Sequence, residues 1–255
     1  MFEKKFVGQR SKLYKEAMKE FPLAREEEGR IAMQFLQPKP HERILEIGAG
    51  SGYFSRLISD VLTDGQLIAT DPSIDQLEEI IRLGRKNIQV VQTEADHLTS
   101  HLPEETFDAI WCGGSFHHIM DKTSTFFQFF KLLKKGGRVV ILDVFAGTSL
   151  SQHFDQEVAK YCITGHEVSF LTAEFAGSLC YLTGFSPPKC APQNVHWKFA
   201  SMQDLGLFLY KIHCMTKTTP DLCAKSAEEI LGITYQDNHY CLNWPLTVLT
   251  TYKGA

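Results

Sequence analysis

Short apolar runs recur along the first 145 residues, and each run is about as long as a buried β-strand. They are RILEIG at 43–48, QLIAT at 66–70, IQVVQ at 88–92, FDAIWC at 107–112 and RVVILDVF at 138–145. Segments with helical spacing separate them at 53–62, 74–83 and 122–134. Because strands and helices alternate and the strands are continuously apolar, the pattern predicts a parallel sheet with helices on both faces.

Helical patterns also flank this region. Two helical stretches are predicted within 11–36, broken near Phe21 and Pro22. After residue 145, helices are predicted at 149–165, 172–182, 201–215 and 220–231, and strands near 195–199 and at 242–253. We therefore expect 1–255 to be a single domain. Its predicted parts are N-terminal helices at 1–40, a core at 41–145, and a C-terminal half at 146–255 with a helical insertion at about 200–240.

Composition narrows the possible partners. Apolar residues make up 44% and charged residues 22% of the chain, which is typical of a folded globular protein. The formal net charge of −4 indicates no concentrated basic face, so we expect no nucleic acid partner. No uncharged apolar run reaches the roughly 18 residues of a bilayer span, so we expect no membrane span and a cytoplasmic location. The seven cysteines contain no CxxC pair, so we expect neither a disulfide framework nor a metal site.

A glycine-rich turn is the most informative feature of the sequence. The segment ILEIGAGSGYFS at 44–55 runs from a predicted strand through this turn into a helix. Such a turn lets a ligand lie against bare backbone beside a helix N-terminus. A dinucleotide motif GxGxxG would have a third glycine where Tyr53 stands. The spacing is instead ExGxGxG, and a carboxylate at Glu46 suits a ligand with a cationic head, such as the amino acid end of S-adenosylmethionine. The alternative is a glycine-rich turn without a ligand.

Two acidic residues follow the next predicted strands. Asp71 ends the second strand, about 20 residues after the glycine turn, where a carboxylate accepts hydrogen bonds from ribose hydroxyls. Its alternative role is that of a helix N-cap. Glu94 follows the third strand, and its side chain suits the exocyclic amine of an adenine, with a solvated loop acid as the alternative.

Together these segments resemble the class I S-adenosylmethionine-dependent methyltransferases, and among them the type 11 and ubiquinone/menaquinone-biosynthesis group of small-molecule enzymes. The matching stretches, within about 40–145, are ILEIGAGSGYFS, ATDPS with the following Gln76 and Leu77, QTEADHL, FDAIWCGGSFHHIMD and LLKKGGRVVILD. The resemblance implies a Rossmann-like α/β fold with a seven-stranded sheet, mostly parallel with an antiparallel last strand. It also implies S-adenosylmethionine as cofactor and S-adenosylhomocysteine as product.

The resemblance further implies which residues bind the cofactor. They are Glu46, Gly48, Ala49, Gly50 and Gly52 at the methionine end; Asp71, Pro72, Ser73 and Gln76 near the ribose; Glu94 and Ala95 at the adenine; and Cys112, Gly113 and Gly114 under the sulfonium. The chain departs from the family in two ways. No N/D-P-P-Y/F motif follows the fourth strand, so methylation of an adenine or amide nitrogen is not expected. The helical insertion is also longer than the family's short hairpin, and it is expected to cap the active site or to contribute to a homodimer.

A general base is needed only if the methyl acceptor must lose a proton. His117 is the candidate catalytic residue, and His117 and His118 are both candidates for contact with the acceptor; the alternative is that one caps the next helix while the other packs under the cofactor. His153 and His166, with Glu167, are candidates for the acceptor pocket, and surface positions are the alternative.

The aromatic residues of the C-terminal half favour a small hydrophobic or aromatic acceptor. They are Phe170, Phe175, Phe185, Trp197, Phe199, Phe208 and Trp244. Two alternative functions would use the same cofactor. The protein could bind S-adenosylmethionine without turnover, or it could methylate a protein, RNA or arsenite. A nicotinamide-dependent reductase is disfavoured by Tyr53.

Overall fold

The computed structural model describes residues 6–254, and the strands of this part of the chain form one mixed sheet. The strands are β1 Arg43–Ile47, β2 Gln66–Asp71, β3 Ile88–Gln92, β4 Phe107–Gly113, β5 Leu133–Asp143, β6 Lys189–Phe199, β7 Ile233–Gln236 and β8 His239–Tyr252. Their order in the sheet is β3-β2-β1-β4-β5-β8-β6, and β7 pairs with β8 outside this path.

Ten α-helices accompany the sheet within the described residues. They are α1 Gly8–Glu20, α2 Glu26–Leu36, α3 Tyr53–Val61, α4 Ile74–Leu83, α5 Lys122–Leu132, α6 Ser149–His153, α7 Ala159–Tyr161, α8 Ala173–Thr183, α9 Met202–Ile212 and α10 Pro220–Leu231. A π-helical turn at Phe154–Val158 joins α6 to α7, and a 3₁₀ turn at Phe116–His118 follows β4. Among residues 6–254, no helix combines the length and apolar character that crossing a bilayer requires.

The direction in which strands are added to the sheet reverses at β1. This strand pairs in parallel with β2 on one side and β4 on the other, so that Ile47 lies beside both Thr70 and Cys112. Strand β5 extends the parallel sheet, and β8 runs antiparallel to it. These pairings confirm the predicted fold class. In open parallel sheets, ligands bind outside the carboxyl ends of the strands at such a reversal point.

The sheet has eight strands rather than the predicted seven. The additional strand, β7, forms a hairpin with β8 through Asp237 and Asn238, whose φ angles are 50° and 61°. Positive φ at both central residues is typical of a two-residue hairpin turn. Thr234, Tyr235 and Gln236 are exposed, so this short strand has no apolar run by which to predict it.

The predicted start of β5 was wrong. Helix α5 ends at Leu132, and β5 begins immediately at Leu133, although the sequence pattern placed the start of this strand at 138. Leu133 pairs with Phe107, and the register shifts before Ala109 pairs with Arg138. The early part of β5 includes Lys134, which the sequence pattern assigned to the end of the helix, and Lys135 and Gly136, which it assigned to the turn after that helix.

Contacts group the described residues into two compact units. The first, here called the core unit, contains the described residues of Ile31–Asp143, Val168–Pro192 and Thr247–Ala255. The second, here called the helical unit, contains those of Met1–Arg30, Val144–Glu167 and Gln193–Leu246. Helices α9 and α10 and strand β7 belong to the helical unit. The division of 1–255 as one domain with an insertion at about 200–240 stays a prediction.

Each unit has its own apolar interior. In the core unit, Ile44, Leu45, Leu67, Ile68 and Ile110 of the central strands are completely buried. In the helical unit, the rings of Trp197 and Trp244 stack with their centroids 3.7 Å apart, and Phe208 packs edge-on against Trp197. The predicted aromatic set is thus divided: Phe170, Phe175 and Phe185 belong to the core unit and the other four to the helical unit.

Candidate active site

A glycine loop at the carboxyl end of β1 forms the centre of the site. Gly48, Gly50 and Gly52 have φ angles of 65°, 55° and 85°, a region that residues with a side chain rarely adopt. A Cβ atom added to Gly48 would lie 2.3 Å from Oγ of Ser115. The loop therefore needs glycine at these positions, and its backbone stays bare.

Hydrogen bonds attach this loop to the end of β2. The amide of Ala49 donates to the carbonyl of Thr70 at 2.9 Å, and the amide of Gly50 donates to Oδ2 of Asp71 at 3.0 Å. The glycine loop and the predicted ribose acid are consequently adjacent, as the sequence motif predicts.

Asp71 is buried at the start of the turn that leads into α4. Its Oδ1 accepts a hydrogen bond from the amide of Ser73 at 2.8 Å. Burial raises the pKa of Asp71 to about 6, although the two amide bonds oppose this rise. Ser73, whose hydroxyl accepts from the amide of Gln76, is the N-cap of α4. The alternative role of Asp71 as the N-cap is therefore wrong.

Glu46 is the second buried acid at this corner, with 1% of its surface exposed. One carboxylate oxygen accepts a hydrogen bond from Oγ of Ser55 at 2.5 Å. Burial raises the pKa of Glu46 to about 8, and the negative charge of Asp71 adds to the rise. Among residues 6–254 no cation pairs with Glu46. A cationic group brought by a ligand would favour the ionised carboxylate.

Gln76 carries the clearest sign that this corner binds a polar ligand. Its side chain is 1% exposed, and within the described residues neither its amide nitrogen nor its amide oxygen has a hydrogen-bond partner. A buried polar group left unpaired costs about 1–3 kcal/mol. A ligand with both donors and acceptors would remove this cost.

The loop after β3 lies beside Asp71. The amide of Thr93 donates to the carbonyl of Asp71 at 3.3 Å, and Nε2 of Gln92 donates to the carbonyl of Pro72 at 2.9 Å. In this loop Glu94 is exposed and Ala95 is half-buried. The predicted adenine residues thus follow directly after Thr93, which is hydrogen-bonded to the predicted ribose acid.

The end of β4 closes the opposite side of the loop. Oγ of Ser115 donates to the carbonyl of Ile47 at 3.1 Å and lies 3.1 Å from Sγ of Cys112. A Cβ atom on Gly113 would lie 2.6 Å from the ring of Phe54, so this position also requires glycine. Burial raises the pKa of the Cys112 thiol, which keeps it neutral.

Gly114 continues this segment, with a φ angle of 63° and an amide that donates to the carbonyl of Leu142 at 2.9 Å. The predicted residues 112–114 therefore lie at the reversal point of the sheet, beside the glycine loop.

His117 and Asp143 form a buried pair at the ends of β4 and β5. Nδ1 of His117 lies 2.6 Å from Oδ1 of Asp143, and the amide of His117 donates to Oδ2 at 3.0 Å. The ring of the half-buried His118 is 4.1 Å from that of His117. Helix α5 is capped by Asp121, which accepts from the amide of Ser124, so neither histidine is the cap.

Sequence reasoning missed Asp143, Ser115 and Ser55. Asp143 ends a predicted parallel strand next to β4, and acids at such strand ends are a usable signal. The serines gave no signal, because each acts through a partner distant in the sequence, Ile47 for Ser115 and Glu46 for Ser55.

His153 and His166 belong to the helical unit, and both are buried, with 0% and 8% exposure. Their surface position, the alternative considered above, is therefore wrong, whereas Glu167 is exposed. Neither ring nitrogen of His153 has a hydrogen-bond partner among residues 6–254, and burial lowers its pKa to about 4. Its ring lies 6.3 Å from that of Trp244. A substrate role for these histidines stays a prediction.

A comparison with known families covers the segment that builds this corner. Residues 45–139 match the family described as a methyltransferase domain. The segment is a methyltransferase domain. The predicted resemblance to methyltransferases is thereby confirmed.

Two known proteins are similar to part of this chain. Phosphoethanolamine N-methyltransferase of Triticum aestivum is 34% identical over 113 residues, which are 44% of this chain and 22% of that protein. Ubiquinone/menaquinone biosynthesis C-methyltransferase UbiE of Marinomonas sp. is 30% identical over 128 residues, which are 44% of this chain and 47% of that protein. This chain therefore covers less than half of the length of each of these relatives.

A solved structure shares the fold over most of the chain. It is phosphoethanolamine N-methyltransferase 2 of Haemonchus contortus in complex with S-adenosyl-L-methionine, with a TM-score of 0.66 and 17% identity. The match covers 96% of this chain and 57% of that chain. This likeness shows that the two proteins share a fold.

The residues at the corner of this methyltransferase domain fit S-adenosylmethionine. Among the described residues the side-chain amide of Gln76 has no hydrogen-bond partner, so it favours a polar ligand. At Gly48 and Gly113 the neighbouring side chains leave no room for a Cβ atom, so the backbone there is bare. Two buried acids with raised pKa values, Glu46 and Asp71, match a ligand that carries an amino group and hydroxyls.

Proposed function

We propose that this protein is an S-adenosylmethionine-dependent methyltransferase that acts on a small hydrophobic or aromatic molecule. One observation carries the proposal: three positive-φ glycines leave bare backbone beside two buried carboxylates, at the reversal point of a parallel sheet. This combination serves a ligand that has a cationic end and a ribose, and it is built by the segment that matches the methyltransferase domain.

In this proposal each part of the corner holds one part of the cofactor. Glu46 and the glycine loop, including Ala49, hold the amino acid end. Asp71, with Pro72, Ser73 and Gln76, holds the ribose, and Glu94 and Ala95 hold the adenine. The backbone of 112–114 lies under the sulfonium. When bound, S-adenosylmethionine supplies an electrophilic methyl group. Holding donor and acceptor in line contributes about 7–11 kcal/mol to such a reaction.

The surroundings of His117 support an aromatic acceptor. Within the core unit, the rings of His118 and Phe170 lie 4.1 and 6.3 Å from the ring of His117. The relatives' names give different acceptors, phosphoethanolamine for one and a quinone-biosynthesis intermediate for the other. A flat apolar acceptor fits the rings beside His117 better than a charged one such as phosphoethanolamine does.

Other functions have less support. A soft element such as arsenite needs clustered thiolates, and among the described residues no group of three potential metal ligands includes a cysteine. Proteins that bind RNA usually have a concentrated basic face, and the formal net charge of this chain is −4. We also propose a cytoplasmic location and the absence of a nucleic acid partner. We further propose that the protein forms a homodimer, which light scattering of the purified protein would test.

Calorimetric titration with S-adenosylmethionine, S-adenosylhomocysteine and NADH tests the cofactor. Micromolar binding of the first two alone is expected, and binding of NADH alone would contradict the proposal. Formation of S-adenosylhomocysteine with an added acceptor then separates an enzyme from a protein that only binds the cofactor. The acceptor panel begins with phenols and quinols.

A further inference from the structure

The carboxyl ends of β4 and β5 bring together two residues that are 26 positions apart in the sequence. These strands are parallel neighbours, with Gly113 beside Leu142. Asp143 is the last residue of β5, and His117 lies in the turn that follows β4. Their contact is thus fixed by the register of the sheet.

Both oxygens of the Asp143 carboxylate bind His117. Oδ2 accepts from the backbone amide at 3.0 Å, and Oδ1 lies 2.6 Å from Nδ1 of the ring. A carboxylate only accepts hydrogen bonds, so Nδ1 must carry the hydrogen, and the lone pair of a neutral ring lies on Nε2. The side chains of His117 and Asp143 are 7% and 5% exposed, and burial strengthens the bond between them.

Further contacts fix the position of the His117 ring. The carbonyl of His117 accepts a hydrogen bond from the amide of Ser169 at 2.9 Å. The rings of His118 and Phe170 lie on the same part of the core unit, 4.1 and 6.3 Å away. The imidazole is therefore held in one orientation, with one tautomer, beside aromatic rings.

We propose that Asp143 is a positioning residue that makes Nε2 of His117 the base for a phenol-type hydroxyl of the acceptor. This inference rests on the proposed methyltransferase function. The hydroxyl proton moves to Nε2, and the electron pair of the O–H bond stays on the acceptor. That pair forms the bond to the methyl group, and the sulfur keeps the pair of the broken methyl–sulfur bond. The proton on Nε2 then leaves to solvent.

The acceptor class follows from what a base contributes. A neutral amine already has a lone pair for the attack, whereas a phenol attacks well only after it loses its proton. A positioned base contributes about 10²–10⁴ in rate to such a step. A phenol also matches the aromatic rings beside His117.

The competing explanation is that Asp143 only attaches the turn after β4 to β5. The variant Asp143→Asn separates the two explanations. It retains one oxygen for the backbone amide of His117 and places an NH₂ group opposite Nδ1. Nδ1 must then accept, and the hydrogen moves to Nε2, which removes the basic atom without removing the attachment.

Imidazole ¹⁵N NMR of the full protein, at mildly alkaline pH and without acceptor, measures this change. The signals of His117 are assigned by their loss in His117→Gln. We expect the Nδ1–H tautomer in the wild type and the Nε2–H tautomer in Asp143→Asn. The same tautomer in both proteins would overturn the positioning role. If Asp143→Asn does not fold, Asp143→Ser, which removes the acceptor of the Nδ1 hydrogen, replaces it in this comparison.

Turnover with defined probes tests the base. The probes are catechol, hydroquinone and phosphoethanolamine, and the readout is formation of S-adenosylhomocysteine. We expect turnover of the phenols, a kcat lower by about 10²–10⁴ in His117→Gln and by about 10² or more in Asp143→Asn, and a KM that changes little. Asp108→Asn, which alters an acid at the opposite end of β4, is the matched control and should keep the wild-type rate.

Three results would overturn this inference: no turnover of either phenol, an unchanged kcat in His117→Gln, or turnover of phosphoethanolamine alone. Calorimetry with S-adenosylhomocysteine distinguishes this failure from failure of the proposed function. If the wild type does not bind the cofactor, the proposed function is wrong. If it binds and transfers a methyl group but both variants behave as wild type, only the role of the pair is wrong.

Discussion

The backbone amide of Gly50 donates a hydrogen bond of 3.0 Å to Oδ2 of Asp71. This bond joins the glycine loop after β1 to the end of β2, so the carboxylate that we propose to bind the ribose also shapes the loop. Loop geometry and cofactor affinity should therefore change together when Asp71 is altered.

Asp71→Ala should weaken the binding of S-adenosylhomocysteine by about 1.5–3 kcal/mol, the usual value of a hydrogen bond to a charged group. Calorimetric titration measures this loss. Asp60→Ala, which removes an exposed aspartate that pairs with Arg85, is the matched control and should bind as the wild type does. Equal affinities in the two variants would contradict a role for Asp71 in cofactor binding.

Glu46 should make the stability of the cofactor-free protein depend on pH. Its pKa is about 8 in the folded chain, above the ordinary value of 4.5 expected after unfolding. The stabilisation from the neutral carboxyl is complete below the lower value and is lost as pH rises through the higher one.

Glu46→Gln removes this titration. The difference in free energy of unfolding between this variant and the wild type should shift in favour of the variant by about 2–4 kcal/mol as the pH rises from the unfolded to the folded pKa of Glu46. This range follows because one pKa unit corresponds to about 1.36 kcal/mol. Urea denaturation at several pH values measures the difference. Asp71 titrates in both proteins, so its contribution largely cancels. Parallel stability curves for the two proteins would argue against a raised pKa for Glu46.

His153 should produce the opposite dependence in the helical unit. Burial lowers its pKa from 6.5 to about 4, so folding favours the neutral ring. That stabilisation is present above the higher value and is lost as pH falls through the lower one. His153→Leu removes both the titration and two unpaired ring nitrogens.

On acidification, the variant His153→Leu should lose less stability than the wild type. The difference should be about 1–2 kcal/mol when the pH falls from neutral to about one unit below the pKa of His153 in the unfolded chain. Denaturation curves at both pH values measure this difference. His101→Leu makes the same chemical change at an exposed position and should retain the wild-type slope. A His153→Leu curve with the wild-type slope would contradict the prediction.

Gly48→Ala should disrupt the loop through contact as well as through conformation. Gly48 and Gly147 both have positive φ angles, 65° and 79°, but an added Cβ meets Ser115 at 2.3 Å only at Gly48 and meets nothing within 4 Å at Gly147. The strained backbone alone costs about 1–2 kcal/mol, and overpacking adds about 1–3 kcal/mol.

Thermal or urea unfolding of Gly48→Ala and Gly147→Ala measures the two contributions. The larger loss is expected for Gly48→Ala, and adding Ser115→Gly to that variant should recover part of it. Equal losses in the two single variants would mean that the contact with Ser115 relaxes without cost.

Much of the core unit was predictable because its signals are local. The bounds of α4 follow from Ser73 at its start and Gly84, with a φ of 62°, at its end. The alternation of apolar strands and helices predicted β1 to β5 in their parallel arrangement. By contrast, β7 is too short and exposed for periodicity to reveal it, and β5 begins within a polar segment.

The sequence by itself determined strands β1 to β4, the glycine loop and the acids near the carboxyl ends of β1 and β2, because each depends on residues a few positions apart. Only the tertiary structure decided that Asp143 binds His117, that Ser115 lies against Gly48, and that His153 is buried. The first two contacts depend on which strands are neighbours and on their register. Burial, and the pKa shifts it causes, depends on the packing of residues from distant parts of the chain, and local pattern does not encode that packing.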